Sequence, residues 1–505
     1  MSPRAKKRSR SPAIPWVRGF RPPTRQRGAE AVGFSSAGLD KSSGDEKGRG
    51  EECPPEFRVT VHFSLVPKPK SELDWLAQVN EDPQTYADFL EQCPWISKRK
   101  GSKVPPSWGF VSSGEYLQGR YPSGKVYVVC GGKQELARFE FAALLEYVRI
   151  FYKGLRVETL DSLLIEVDDR KAILVKKNGD GEIEKKKDLK FRRATESNHV
   201  QIEVDSVLRA LRGPGVMPPD ALCLLVLTPY DLFETQPDLF VAGMADGNAR
   251  VGVFSFYRYD PHLSFSTEFW HDVCVEEEEE GEETGRGGRE GAAKKKRRKE
   301  TPPAGSKEGK GEKRGGGQPG DKGADNDGEE KGGEGGEGEK EDKGREEGRV
   351  QEDEDEEMGG QRDEKGEGQS DSEEGEEGEG DKEENTKEME RQKTLLERSS
   401  RLAVHELGHM LGLDHCVFFQ CCMNGSGHLE EDFSQPHFLC PVCLRKVHRL
   451  CGFDVLTRYK DIFAFWEREF KQLWYCEQNE LQWLKERIDY LESERAPRHG
   501  AQAER

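Results

Sequence analysis

The sequence predicts an α+β protein in which a mixed β-sheet is flanked by helices, with a long disordered insertion and a helical C-terminal subdomain. Apolar segments of strand length alternate with amphipathic segments between residues 121 and 274. Such alternation is typical of helices packed on a sheet. The pattern then disappears over a long stretch and returns with helical periodicity near Lys393.

Composition limits how much of the chain can be packed core. Of its 505 residues, 35% are charged and only 33% are hydrophobic, and the formal net charge is −19. No apolar run approaches the ~20 residues needed to span a bilayer, and the start lacks the hydrophobic segment of a signal peptide. We therefore expect no membrane partner and reduced thiols at the twelve cysteines. The expected location is intracellular, in nucleus or cytoplasm, with organelle targeting left open.

The N-terminal part divides into a tail and an extension. Residues 1–55 are rich in Arg, Lys, Ser, Pro and Gly and predict a disordered basic tail. Its run Arg4–Arg8 fits a nuclear import signal or an organelle transit peptide, although a solvated tail is the commonest outcome for such runs. In the extension, residues 56–120, Phe57–Phe63 alternates like a strand and Glu72–Cys93 has helical spacing. We find no recognisable chemistry in this extension.

Residues 121–274 predict the N-terminal subdomain of the main folded domain. Ala221–Leu227 is the most apolar run, and its length and composition indicate a buried strand. The other predicted strands are Val126–Cys130, Leu155–Leu160, Ala172–Val175, Asp238–Met244 and Arg250–Tyr257, and the predicted helices are Glu135–Lys153 and Gln201–Leu211.

Residues 275–390 predict a disordered insertion. The segment repeats Glu, Gly and Lys and has almost no large apolar residue, so it cannot bury enough surface to offset its ordering entropy. The run Lys294–Lys299 lies inside it. This run fits a nuclear import signal or a patch for an anionic partner, and it fits a solvated charge block equally well.

Residues 391–495 predict a long helix and a C-terminal subdomain, which carry the histidines and cysteines considered next. Apolar residues recur at helical spacing from Lys393, and Leu444–Leu450 and Asp454–Leu491 also predict helices. Residues 496–505 form a polar tail.

Five residues near the end of the first of these helices predict a catalytic zinc site. His405 and His409 are four positions apart, so a helix presents both imidazoles on one face. Glu406, beside the first histidine, can act as a general base. Gly412 stands where the helix must end and turn, since glycine adopts positive φ without penalty. His415 can then return as a third ligand, which leaves a fourth position open for water.

Four cysteines predict a second, closed zinc site. They form two close pairs separated by a loop, which is the spacing of a tetrahedral structural zinc. The four ligands are Cys416, Cys421, Cys440 and Cys443. Cys422 and Cys451 are left over and are not expected to bind metal.

The extended histidine motif, with Gly412 and His415 in place, resembles the metzincin metalloproteases. The cysteine order that follows, with Met423 after Cys421, is similar to the archaemetzincins, a branch with a cysteine-bound second zinc. The likeness is strong over residues 395–447 and weak over 126–257.

The resemblance implies a zincin/metzincin-like mixed sheet with a zinc-stabilised C-terminal subdomain. It also implies that Met423 is the Met-turn, an apolar floor under the three histidines. An antiparallel edge strand, for which Phe240–Met244 is the candidate, would bind the substrate main chain. The family has a short connection where this chain carries residues 275–390.

These observations together predict a zinc-dependent metallopeptidase of archaemetzincin type, a hydrolase that holds two Zn²⁺ per chain. Glu406 would activate the zinc-bound water, the substrate would be a peptide or protein, and the chain would be a monomer. One alternative is a catalytically silent zinc scaffold, against which Glu406 counts because a structural site needs no base. The other is a nuclear binding protein that uses the four cysteines and the basic run. We do not expect nucleic-acid binding, because the chain is acidic and its folded part shows no basic-aromatic stripe.

Overall fold

The structure is a computed structural model of the 505-residue chain. It describes residues 22–34, 52–71, 73–96, 109–133, 137–194, 198–236, 238–264, 379–470 and 478–496. All of these belong to one compact unit, formed by Met1–Glu283 together with Glu377–Arg505. The basic runs Arg4–Arg8 and Lys294–Lys299 lie outside the described residues, as does the predicted insertion up to residue 378.

The described chain combines strands and helices, but it lacks the regular alternation that the pattern predicts, because six consecutive strands lie between residues 157 and 203. The strands are β1 (Lys125–Cys130), β2 (Val157–Glu158), β3 (Leu163–Asp168), β4 (Lys171–Lys177), β5 (Ile183–Leu189), β6 (Phe191–Arg193), β7 (Val200–Glu203), β8 (Ala221–Thr228), β9 (Asp231–Phe233), β10 (Gly243–Asp246) and β11 (Val251–Ser255). The α-helices are α1 (Arg25–Ala31), α2 (Trp75–Gln78), α3 (Tyr86–Gln92), α4 (Leu117–Arg120), α5 (Phe141–Phe151), α6 (Val204–Leu211), α7 (Glu379–Met410), α8 (Leu429–Phe433), α9 (Pro441–Cys451), α10 (Val455–Phe470) and α11 (Gln478–Arg495).

A five-stranded mixed sheet forms the centre of the fold. Its order is β10-β11-β8-β1-β2, with β10 antiparallel to β11 and the other neighbours parallel. All eight residues of β8 are buried, which explains why this segment is the most apolar run of the sequence. The predicted mixed α+β architecture is therefore confirmed.

Two three-stranded sheets, β3-β4-β5 and β6-β7-β9, flank the central one. Only β4 was predicted as a strand in the first of them. β5 is a lysine- and glutamate-rich segment with mostly exposed side chains, so it lacks the alternation that marks a strand. Its pairing with β4 forms it instead. Likewise Gln201–Leu211 is not helical throughout, because β7 takes its first residues and α6 begins at Val204.

Helix α7 is longer than predicted. It begins at Glu379, so residues 379–390, which the sequence assigned to the insertion, are helical. An ion pair of 2.7 Å between Lys387 and Glu383, one turn apart, stabilises this exposed start. The apolar face farther along packs in the core, and Tyr152 Oη donates a 2.6 Å hydrogen bond to the Val404 carbonyl oxygen.

The N-terminal extension differs most from expectation. Phe57–Phe63 is not a strand: it begins in a 3₁₀ turn, and its aromatic ends are buried against the C-terminal helices. Glu72–Cys93 is not one helix but contains two short ones, α2 and α3. Pro83 lies between them, where it interrupts helical hydrogen bonding, and Thr85 caps α3 through a capping box with Asp88.

None of the helices in the part of the chain that the structure describes is long and apolar enough to cross a membrane.

A buried carboxylate ties the second small sheet to the segment after β11. Asp231 has no exposed side-chain surface, and its Oδ2 lies 2.8 Å from Arg258 Nη2. Gln201 Nε2 donates to the same oxygen at 2.8 Å, and His199 Nε2 is also 2.8 Å away. The charge of Asp231 is thus compensated mainly by one buried guanidinium.

We predict that Arg258→Ala lowers the free energy of unfolding by about 3–5 kcal/mol, because it leaves the Asp231 carboxylate buried without its counter-charge. The matched control is Arg468→Ala, which removes the ion pairs of a half-exposed guanidinium with Glu146 and Glu469 and should cost at most about 1 kcal/mol. Urea denaturation of both variants measures the difference. An equal loss of unfolding free energy in the two variants would contradict the role of Arg258 as the counter-charge of Asp231.

Candidate metal centres

The last turn of α7 brings His405 and His409 together. The helical period places both on one face, with ring centroids 4.6 Å apart and the two Nε2 atoms 2.9 Å apart. Both side chains are partly accessible. The first half of the predicted site therefore follows from local geometry alone.

The helix ends in a Schellman turn at Gly412, whose φ is +95°. The Leu413 N–H donates to the Gly408 carbonyl and the Gly412 N–H to the His409 carbonyl, each at 3.0 Å. A side chain at Gly412 would be strained by φ, and its Cβ would lie 3.0 Å from the Cys93 sulfur. The turn returns His415 to within 4.7 Å of the His409 ring, centroid to centroid.

Each imidazole uses its Nδ1 atom for a hydrogen bond to the protein, which directs Nε2 toward the other two histidines. The three bonds, all 2.7 Å long, run from His405 to the Cys422 carbonyl, from His409 to the Leu413 carbonyl, and from His415 to Glu81 Oε1. A carbonyl oxygen can only accept, so the first two rings carry their proton on Nδ1. Their Nε2 lone pairs are free to bind a metal.

The donor set fits Zn²⁺. Ligand atoms of the three histidines lie within 4.8 Å of one another. Burial, together with repulsion between the imidazoles, lowers the pKa of His405 well below its usual range and that of His409 to about 3. Both rings are therefore neutral at pH 7, and neutral imidazole is the form that coordinates zinc.

Glu406 lies beside His405 on the same turn of α7 and is partly buried. Burial, with a smaller contribution from the charge of Asp432, raises the pKa of Glu406 well above its usual range. A carboxyl group with a raised pKa takes up a proton more readily than an ordinary glutamate does. Glu406 is thus the chain neighbour of the first histidine on this helix.

Met423 is fully buried and packs against α7 at Gly408. A Cβ at Gly408 would lie 2.7 Å from the Met423 sulfur, so glycine permits this close approach. The Met423 carbonyl also accepts a 2.7 Å hydrogen bond from the Cys416 N–H. Met423 therefore connects the helix that carries two histidines to the loop that carries the cysteines.

The four predicted cysteine ligands come together in the interior. All are buried, and their sulfur atoms lie within 4.8 Å of one another. The Cys416 and Cys440 sulfur atoms are 3.6 Å apart, and the Cys440 N–H donates to the Cys421 sulfur at 3.3 Å. Hydrogen bonds from the three neighbouring thiols hold the pKa of Cys416 well below its usual range. Such a set suits a tetrahedral zinc.

Cys422 and Cys451 lie outside this cluster, as predicted. The Cys422 main chain has a separate role: its N–H donates to the Phe438 carbonyl at 2.8 Å, and its carbonyl accepts from His405. Burial raises the pKa of the Cys422 thiol to about 12. Burial likewise raises the pKa of Cys451, so both are neutral thiols.

Asn424 organises the cysteine loop and was missed by the sequence analysis. Its amide nitrogen donates to the carbonyls of Cys416, at 2.6 Å, and Phe419, at 3.0 Å. Its oxygen accepts from the Cys421 N–H at 2.8 Å. An asparagine directly after Met423, in a loop between ligands, is the available signal, since asparagine commonly bonds nearby main chain in turns.

The N-terminal extension, in which the sequence shows no recognisable chemistry, contacts the third histidine. Glu81, from this extension, accepts from His415 and also from Trp75 Nε1, at 2.7 Å. The Trp75 ring meets His415 edge-on, with centroids 5.1 Å apart. Although burial opposes ionisation, the hydrogen bonds from His415 and Trp75 hold the pKa of Glu81 below its usual value.

A cavity of about 450 Å³ opens beside His415, between the extension and helix α8. Three of its lining residues, Asp74, His428 and Glu431, also converge. Asp74 accepts from Ser71 Oγ at 2.6 Å and lies 3.1 Å from His428 Nε2, and Glu431 accepts from the Trp75 N–H at 2.8 Å. These side chains form hydrogen bonds with one another and with the main chain, and the bonds connect the extension to α8.

The antiparallel edge of the central sheet is β10, Gly243–Asp246. The predicted edge segment Phe240–Met244 overlaps it only at its last two residues. Within that segment, Val241 instead forms an isolated bridge to Leu232 of β9. The edge strand therefore begins three residues later than predicted.

Residues 385–449 match the family model of peptidase family M54. The chain is 45% identical over 75 residues to archaemetzincin-2 of Rattus norvegicus, which covers 15% of this chain and 21% of that protein. It is 43% identical over 74 residues to archaemetzincin-1 of Mus musculus, and this match covers 15% of this chain and 14% of that protein. The match thus spans about a fifth or less of the length of these curated relatives.

Among solved structures, the chain is similar to a zinc-dependent peptidase from Methanocorpusculum labreanum (strain Z). The identity is 13% and the TM-score 0.27, with 64% of this chain and 99% of that chain covered. That likeness is too weak to bear on the fold or the function. The family match, by contrast, contains all three histidines and all four clustered cysteines. The segment that carries both clusters therefore matches the M54 family model and resembles the archaemetzincins, as its motifs predicted.

Proposed function

We propose that this protein is a zinc-dependent metallopeptidase of archaemetzincin type that hydrolyses bonds in peptides or proteins. The observation that carries the proposal is the convergence of ligand atoms from His405, His409 and His415 at the end of α7, the helix that also carries Glu406. The match of residues 385–449 to a peptidase family supports it.

The histidines and Glu406 have separate roles in the proposed hydrolysis. His405, His409 and His415 would hold the zinc, which when bound polarises the scissile carbonyl and lowers the pKa of water toward ~7. Glu406 accepts a proton from the attacking water as the C–O bond forms. It returns the proton to the leaving amine as the C–N bond breaks, a role typically worth about 10²–10⁴-fold in rate.

The edge strand β10 is our proposed binding strand for the substrate main chain. One side of β10 pairs with β11. The other side presents main-chain N–H and C=O groups to which an extended peptide can pair. β11 approaches the end of α7, since a Cβ at Gly252 would lie 3.5 Å from the Met410 sulfur.

We further propose that the four cysteines hold a second, structural zinc that stabilises a metzincin-like C-terminal subdomain. The cluster joins the loop after His415 to α9, which Cys440 caps. Cys416 directly follows His415, and Cys421 directly precedes Cys422, whose carbonyl holds His405. The second zinc would therefore keep two of the three histidines in place.

The two alternatives are less well supported. A silent scaffold would not need Glu406 beside the histidines. A nuclear binding protein would depend on Lys294–Lys299, which lie outside the described residues. The monomeric state and the intracellular location stay predictions.

We expect Glu406→Gln to keep the zinc content of the wild type and to lose hydrolytic rate by about 10²-fold or more. The amide preserves the shape of the side chain but cannot accept the proton. The control is Glu390→Gln, an exposed position on the same helix, which should leave the rate unchanged. A peptide-library digest with metal analysis measures both. Cleavage by Glu406→Gln at the wild-type rate would refute the mechanism.

The two-zinc proposal predicts metal content by variant. The wild type should hold two zinc ions per chain, and Cys443→Ser should lose one and destabilise the region after His415. Cys422→Ser serves as the control, because this buried thiol lies outside the cluster, and it should keep both ions. Elemental analysis decides the matter. One zinc in the wild type, or a zinc lost from Cys422→Ser alone, would overturn the ligand assignment.

The two sites should also differ in how readily they release their zinc. The histidine site is partly accessible and has an open position, whereas the four cysteines are buried. A mild chelator should therefore remove one zinc and abolish hydrolysis while the protein stays folded. Circular dichroism recorded alongside metal content and activity tests this order. Unfolding in step with the first zinc lost would contradict it.

A further inference from the structure

We propose that Glu81 is a positioning residue for the histidine zinc site, so that the N-terminal extension forms part of the catalytic centre. The carboxylate would fix the tautomer and the ring orientation of His415. This inference rests on the proposed zinc site, but not on its activity.

The three histidines are not held in the same way. His405 and His409 stand on a regular helix, and main-chain carbonyls accept from their Nδ1 atoms. His415 stands on the loop beyond Gly412, and its Nδ1 lies 2.7 Å from the Glu81 carboxylate. A ligand on a loop is held less firmly by its backbone than one on a helix, so its orientation depends more on the hydrogen-bond partner of its side chain. Within the described part of the chain, only the His415 Nδ1 has a carboxylate as its hydrogen-bond partner; those of His405 and His409 are main-chain carbonyls.

Glu81 is itself held firmly enough to perform this role. Its Oε1 accepts from Trp75 Nε1 at 2.7 Å, and the Trp75 ring packs edge-on against His415. The three side chains therefore form a closed triangle in which each contacts the other two. The Glu81 side chain is only 19% exposed, so water competes weakly for the carboxylate.

The segment that carries Glu81 is also fastened beside His415. Gln84 Nε2 donates to Asp414 Oδ2 at 2.9 Å, and the Asp414 N–H donates back to Gln84 Oε1 at 3.2 Å. Lys446 of α9 donates to Gln84 Oε1 at 2.8 Å. These contacts attach the extension to the residue that precedes the third histidine.

A carboxylate behind a ligating imidazole has two effects on a metal site. It orients the ring, and its charge makes the imidazole a stronger donor, so that loss of such a partner typically costs about 10–100-fold in metal affinity. A residue that merely stabilised the fold would change the melting temperature but not the affinity of one zinc site.

The test measures zinc affinity of the histidine site in the full-length protein, by competition with a chromophoric chelator. Glu81→Ala should weaken it by about 10–100-fold, and Glu81→Gln, which keeps an acceptor oxygen but loses the charge, should weaken it less. The absorption spectrum of Co²⁺ in the same site should shift in both variants. The zinc of the cysteine site should stay bound. Asp82→Asn, at the exposed neighbour, is the control and should match the wild type.

Unchanged affinity and an unchanged Co²⁺ spectrum in Glu81→Ala would overturn the proposal. If Glu81→Ala does not fold, Glu81→Gln decides: weaker zinc binding at wild-type melting temperature supports the positioning role, and wild-type binding refutes it. The outcome is separate from that of the proposed function. A wild type that binds zinc but cleaves no peptide would refute the peptidase activity while leaving the role of Glu81 to the affinity measurement.

Discussion

The hydrogen bond from His405 to the carbonyl of Cys422 joins the two clusters, and the rest of the site depends on it. It links the helix that carries two histidines to the loop that carries two cysteines. Met423, the next residue, packs against the same helix at Gly408. A bond whose acceptor is main chain survives a change of side chain, so the connection depends on the path of the loop. That path is set by Asn424 and by the four sulfur atoms.

The electrostatic surroundings of Glu406 come from the same region. Arg401, one turn earlier on α7, is buried, donates to the Gln435 carbonyl at 3.0 Å and lies 3.4 Å from Asp432. Asp432 in turn contributes to the raised pKa of Glu406. The short helix α8, which carries Asp432, thus adds to the effect of burial on the pKa of Glu406. Its Glu431 meanwhile accepts from the Trp75 main chain, so α8 also holds the extension.

The N-terminal extension completes the surroundings of the histidines. Trp95 Nε1 donates to the Met410 carbonyl at 3.1 Å and the Cys93 thiol to the Leu411 carbonyl at 3.3 Å. These donors satisfy carbonyl groups that the end of α7 leaves without helical partners. With Glu81 and Trp75 on the other side of the turn, the extension contacts both the end of the helix and the third histidine. A segment without a recognisable motif therefore shapes the centre.

The sequence by itself determined the parts of the site that depend on local geometry. Helical period aligns His405 with His409, a glycine at positive φ ends the helix, and short spacing pairs the cysteines; β8 follows from its apolar run. Tertiary structure decided the parts that join distant segments. β5 is a strand because it pairs with β4, and the first residue of β10 is set by its pairing with β11. Glu81 and His415 are 334 positions apart in the chain. Local sequence patterns cannot predict such a contact, because it forms only when the whole extension packs against the C-terminal part.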